Sequence, residues 1–167
     1  MDTAKLTAMS RDAVSIALRS ALTHGNPNAE PIHLLEALLT IPDNTVGPLL
    51  DTLGADPRIV DAAAKGAITK LPSAQGSSVA QPNLSGAFAR VVADAETRAT
   101  QLGDQFVATE HLLISLASVQ SEARKILNDL GVTSEKITKA FNERRGSKRV
   151  TSAEAEGGSS SLDKYSV

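Results

Sequence analysis

Glu30-Pro31-Ile32-His33-Leu34-Leu35-Glu36-Ala37-Leu38-Leu39 decides the fold, because the chain writes it again as Ala108-Thr109-Glu110-His111-Leu112-Leu113-Ile114-Ser115-Leu116-Ala117. His33 and His111 lie 78 positions apart (111 minus 33), and the same offset joins Leu6 to Leu84, Gly25 to Gly103, Leu35 to Leu113 and Leu38 to Leu116. One residue then drops out. At an offset of 77, Leu50 meets Leu127, Leu53 meets Leu130, Gly54 meets Gly131 and Val60 meets Ile137. A register held over about 60 residues with a single deletion marks a duplicated structural unit.

Each copy of the motif reads as a helix. Pro31 suits a first helical turn, where its missing N–H costs no hydrogen bond, and Leu34, Leu35, Leu38 and Leu39 form one apolar face. Outward from this helix, Thr7 caps a first helix that ends near His24-Gly25, with Ala13, Val14, Ala17, Ala21 and Leu22 as its buried stripe. Val46, Leu49, Leu50 and Leu53 give a short third helix closed by Gly54, and Asp56-Pro57 opens a fourth that runs to about Ile68. The second half repeats the plan. Ser85 caps the helix carrying Phe88, Val91, Val92, Ala95, Ala99 and Leu102, and Thr109 caps the second His-Leu-Leu helix, with Glu110 on its positive end. Ala123, Ile126, Leu127 and Leu130 mark the seventh helix, and Thr133 caps an eighth that reaches about Arg145.

The expected fold is therefore all-α, with eight helices in two pseudo-symmetric four-helix repeats. Repeat one spans 6–68, a connector rich in Pro, Gly and Ser spans 69–83, and repeat two spans 84–145, giving a domain over 1–146. From Gly146 onward apolar periodicity fades, and 147–167 has the composition of a flexible linker leading to a further module, so a fragment of a larger protein is expected.

Composition narrows the function. A chain of 167 residues, 41% hydrophobic, can bury roughly two-thirds of its unfolded surface. It has no cysteine, which excludes disulfides and thiolate chemistry. No apolar run approaches the ~20 residues of a membrane span, and the N-terminus lacks a signal-peptide pattern, so neither a membrane partner nor export is expected and the cytoplasm is the expected location. With 17 basic and 19 acidic residues, there is no field that argues for nucleic acid. The cluster Arg144, Arg145, Lys148, Arg149 reads as cations suited to a helix C-terminus and a solvated tail, since no aromatics accompany it for base stacking.

No catalytic apparatus stands out. There is no Gly-x-Ser-x-Gly elbow and no phosphate-binding Gly-x-x-x-x-Gly-Lys-Ser/Thr, so no enzyme activity and no cofactor are expected. His33 and His111 lack a third ligand at fixed spacing, which argues against a metal site and for imidazoles that satisfy local backbone or carboxylate groups. What remains is surface. Helical units that meet create grooves able to capture peptide segments, and Phe88, Val92 and Phe106 are candidates for apolar lining.

The double His-Leu-Leu block, with Gly103-Asp104-Gln105-Phe106-Val107 before its second copy, resembles the amino-terminal repeat domain of the Clp (class I Hsp100) AAA+ family. Lys5-Leu6-Thr7, the connector from Leu71-Pro72 to Gln81-Pro82-Asn83-Leu84-Ser85, and Arg144-Arg145-Gly146-Ser147-Lys148-Arg149-Val150-Thr151 are similar to its ClpB branch, and Leu162-Asp163-Lys164-Tyr165 is similar to the start of that branch's first ATPase module. The resemblance implies a recognition domain of a hexameric ATP-driven disaggregase that works with the DnaK system, with ATP confined to absent modules and unfolded or aggregated polypeptides as partners. It implies substrate handling by Thr7, Asp104 and Glu110. In the first copy Ile32 stands where the family often has Glu, which confines an acidic site to one face. The rival implication is adaptor-protein docking, as in ClpC or ClpA. The fragment itself is expected to be monomeric.

Overall fold

The computed structural model describes residues 3–73 and 81–156. The middle of the expected connector, 74–80, and the end of the expected linker, 157–167 with Tyr165, lie outside the described residues. Among the described residues eight α-helices follow in order: α1 (Ala8–Thr23), α2 (Pro31–Thr40), α3 (Val46–Thr52), α4 (Pro57–Thr69), α5 (Gly86–Gln101), α6 (Thr109–Leu116), α7 (Glu122–Asp129) and α8 (Ser134–Arg145). A 3-10 turn, Thr3–Lys5, precedes them.

The helix ends follow from capping chemistry. The side chains of Thr7, Asp56, Ser85, Ser121 and Thr133 each accept a hydrogen bond from a backbone N–H of the first turn they precede. Pro31 and Pro57 occupy first turns. Gly25, Gly54, Gly103 and Gly131 all have φ between 69° and 82°. Each lies just beyond a helix, in the left-handed region that a Cβ penalises.

The two His-Leu-Leu helices are the centre. Every residue of α6 except Glu110 is buried, as is most of α2. They pack on each other, while α1 and α4 flank α2, and α5 and α8 flank α6. The third helix of each half crosses over: α3 packs on α8, and α7 packs on α4. Leu, Ile, Val and Ala make up nearly all of one continuous core.

Periodicity gave no sign of the backbone pairing between the halves. Asn28–Ala29 (β1) pairs in parallel with Asn83–Leu84 (β2), and an isolated bridge joins Leu6 to Val107. These are one contact seen twice, since Leu6 is equivalent to Leu84 and Ala29 to Val107 at the 78-residue offset. The Thr7 N–H donates to Val107 O at 3.0 Å, as the Ser85 N–H donates to Ala29 O at 3.0 Å. Each half begins by adding its first segment to the loop ahead of the other half's central helix.

Three expectations need correction. The cap of α6 is Ala108, with Thr109 as the first helical residue: Ala108 has no side-chain acceptor, the Thr109 N–H is met by Glu156, and His111 accepts from the Ala108 N–H. Leu22 is 40% exposed and leaves the stripe of α1. The linker composition after Gly146 does not leave the body at once: Val150 is 9% exposed, and residues 147–156 fold back as a strap.

Candidate recognition cleft

The histidines organise the loops ahead of α2 and α6. In α6 the Ala108 N–H donates to His111 Nδ1 at 2.8 Å, and in α2 the Glu30 N–H donates to His33 Nδ1 at 2.8 Å. A backbone N–H can only donate, so Nδ1 carries no proton and Nε2–H is the donor on the other side. That donor meets Asn26 Oδ1 at 2.9 Å in the first half and Asp104 Oδ2 at 2.8 Å in the second. Both ring nitrogens of each histidine are thus engaged. Burial, and then the nearby His24, push His33 down to about 4.

Asn26 and Asp104 are repeat equivalents, and the single change from amide to acid rebuilds everything around it. Burial alone would raise Asp104; hydrogen bonds from His111, Arg145 and the Val150 N–H outweigh it and hold the carboxyl at about 2. Arg145 Nη1 donates to Asp104 Oδ1 at 2.7 Å, its guanidinium lies 4.1 Å from the Phe141 ring centroid, and the Phe141 ring meets His111 edge-on. In the first half the position of Arg145 is held by the buried Ile68. The peptide units outside are turned to match: Asn26 Nδ2 donates to Pro72 O at 3.0 Å, whereas Asp104 Oδ1 accepts from the Val150 N–H at 2.8 Å.

Beside this network lies a cleft of about 260 Å³, walled by Met9 of α1, Ala108 and Glu110 at the start of α6, Phe141 and Arg145 of α8, and Lys148, Arg149, Val150, Ala155 and Glu156 of the strap, with Asp43 and Thr45 opposite. Its lining is apolar at Met9, Ala108, Phe141, Val150 and Ala155 and carries both signs of charge at Asp43, Glu110, Glu156, Arg145, Lys148 and Arg149. Two polar atoms buried in its walls, Thr45 Oγ1 and Arg145 Nε, have no hydrogen-bond partner among the described residues. A wider depression of about 640 Å³ between α5 and α8 is lined wholly by polar and charged side chains, among them Arg98, Lys139 and Glu143.

The expected site residues divide on this geometry. Glu110 lines the cleft. Thr7 is fully buried beneath it as the cap of α1, and Asp104, 6% exposed, supports it through Arg145. Phe88 (0% exposed) and Val92 (2%) belong to the core and line no groove, because the stripe of α5 that carries them faces inward. Phe106 is half-buried in the loop before α6, outside the cleft lining. Arg145, its side chain 9% exposed, is an ion-pair partner of Asp104 rather than a solvated cation. The sequence alone does not single out Met9, Phe141, Val150 and Glu156, which also line the cleft. A signal for Arg145 was present: one repeat carries Asn with Ile where the other carries Asp with Arg.

Residues 5–130 match the Clp repeat (R) N-terminal domain. The chain belongs to that family. It is 66% identical over 167 residues to the chaperone protein ClpB of Propionibacterium freudenreichii subsp. shermanii and 40% identical over 167 residues to ClpB of Mycobacterium tuberculosis. Those alignments cover all of this chain but 19% and 20% of the relatives, so the chain spans no more than a fifth of their length. The fold is that of the Hsp104 N-terminal domain of Candida albicans (TM-score 0.79, 23% identity, 91% of this chain and 99% of that one). A ClpV N-domain in complex with a VipB peptide is also similar (TM-score 0.65, 21% identity, 83% of this chain and 86% of that one). For a Clp repeat domain the eight-helix double repeat is the expected architecture. Among the described residues no helix is long and apolar enough to cross a membrane, and no group of three or more His, Asp or Glu is placed to hold a metal ion.

Proposed function

We propose that this Clp repeat domain is the non-catalytic recognition domain of a ClpB-type disaggregase, and that the cleft between α1, α6, α8 and the strap takes apolar segments of unfolded or aggregated polypeptides. The observation that carries this reading is the cleft's composition, apolar lining from Met9, Ala108, Phe141 and Val150 beside side chains of both charges. An exposed apolar concavity of this kind suits a peptide better than it suits solvent. At about 260 Å³ it admits a side chain or two, which makes binding weak. Weak capture fits a domain that must release its client to a motor. ATP binding, hexamer assembly and cooperation with a DnaK system belong, on this reading, to modules outside this chain. The cytoplasm is the matching location. The ClpB relatives favour disaggregation over adaptor docking, and the ClpV N-domain bound to a VipB peptide supports peptide capture by this fold.

An amide NMR titration with an unfolded, aggregation-prone polypeptide tests this, with a folded protein as control. Shifts should gather on Met9, Glu110, Phe141 and Ala155 and leave Lys139 and Glu143 in the polar depression still. Silence at millimolar client, or shifts centred on the polar depression, would overturn the reading.

A further inference from the structure

Beyond α8 the strap is held at two points of different character. The inner point is built into the core network: the Val150 N–H donates to Asp104 Oδ1 at 2.8 Å and the Gln105 N–H donates to Val150 O at 2.8 Å. The outer point lies at the cleft. There the Ala8 N–H donates to Ala153 O at 2.7 Å, and the Glu156 carboxylate spans two helix starts. Its Oε1 accepts from the Thr7 hydroxyl, and its Oε2 accepts from the Thr109 hydroxyl at 2.7 Å and the Thr109 N–H at 3.3 Å.

Ala8 and Thr109 are the first residues of α1 and α6, so their N–H groups have no partner within their own helices. The strap satisfies them with one carbonyl and one carboxylate, acceptors that any peptide could bring. At the equivalent place in the first half Pro31 has no N–H and Ile32 no charge, so among the described residues the first half does not repeat this receptor. Ala155 and Glu156 also form part of the cleft wall.

We propose that Ala153–Glu156 is a latch, a self-ligand that occupies one end of the recognition cleft and must lift for a client segment to seat fully. This rests on the peptide-recognition reading above and adds its regulation. The latch is held against opposition. Burial, and then the charge of Glu110, push Glu156 up to about 7, with the Thr109 and Thr7 bonds pulling the other way. The other charges that line the cleft are Asp43, Arg145, Lys148 and Arg149. Arg145 is spent on Asp104, and Arg149 donates to the carbonyls of Gly146 and Lys148. The folded value stands above the ordinary 4.5, so docking is fully favoured below 4.5 and is lost as pH rises through about 7.

Hydrogen exchange on the full chain, without client, tests the latch directly. The Ala8 amide has a strap carbonyl as its partner, so its protection, corrected for intrinsic exchange, should fall several-fold between about pH 6 and about pH 8 while that of Val150 holds. Glu156→Ala should abolish the Ala8 protection at both pH values, and Glu110→Gln should restore it at the higher one. Client affinity should move oppositely, about twofold or more tighter in Glu156→Ala and weaker in Glu110→Gln, because apparent affinity scales with the open fraction. Ala8 protection indifferent to Glu156→Ala, or equal client affinity in the wild type and that variant, would overturn the latch. If Ala8 behaves as expected but no client binds either protein, the latch stands and only the recognition reading falls.

Discussion

Asp104 shows what one atom's change of character does inside a duplicated fold. Where Asn26 offers an amide, Asp104 offers a charge with its side chain wholly buried, and that charge recruits Arg145, whose side chain is 9% exposed. Removing one member of a buried ion pair strands the other without compensation. Asp104→Asn should therefore cost about 3 kcal/mol of stability, read from urea unfolding. Asp104→Asn with Arg145→Ile rewrites the second half in the chemistry of Asn26 and Ile68, and should recover half or more of that loss. A double variant as unstable as the sum of its parts would show that the two halves are not chemically interchangeable. The buried groups also set an acid limit. His33 is held down at about 4 from 6.5, so the unfolded state binds its proton first and stability declines as pH falls from 6.5 toward 4. Asp104, held at about 2 from 3.8, adds stability above 3.8 that disappears as pH falls through 2. Urea midpoints across this range should show both losses, and the first should vanish in a His33→Asn variant whatever its overall stability.

At the scale of elements, local chemistry made most helix boundaries legible. Side-chain caps such as Thr7, Ser85 and Thr133, first-turn prolines and closing glycines announce themselves because each acts within four residues of where it stands. The start of α6 is less legible for a physical reason: Ala108 has no side chain that can cap, and the Thr109 N–H is met by Glu156 from 47 positions along the chain. Leu22, 40% exposed, shows that helical spacing marks a face without saying whether a neighbour covers its edge. The cleft was less legible than the helices. Its walls come from both ends of the chain, and Glu156 meets Thr7 across 149 positions, a contact that no periodicity encodes. Two glycine substitutions separate local conformation from packing. Gly131, with φ +81° and nothing within 4 Å of where a Cβ would stand, should lose about 1 kcal/mol on replacement by alanine, because only its backbone conformation objects. Gly66, exposed inside α4 and equally open, should gain about 0.5–1 kcal/mol from the same change through helix propensity. Thermal midpoints moving in the same direction for both would contradict that division.

For the whole molecule, duplication has produced halves that complete one another. Each half's first segment pairs with the loop ahead of the other's central helix, α3 and α7 are exchanged across the boundary, and α2 and α6 bury one against the other. A half alone would expose the inner faces of its central helix and leave Leu6 or Leu84 without its strand partner, in a unit already near the size at which a single core is marginal. The sequence repeat showed that there were two units and left open whether they stand apart, because a repeat measures similarity along the chain and says nothing of contact across it. Interlocking predicts obligate complementation. Chains covering 1–77 and 78–167, made separately, should each give the far-UV circular dichroism of an unfolded polypeptide. Mixed, they should regain helicity and unfold in one cooperative transition whose midpoint rises with concentration, since the native state is then a bimolecular complex. Independent folding of the first half, with a transition of its own that the second half does not shift, would mean that the paired segments and exchanged helices decorate two stable units instead of joining two incomplete ones.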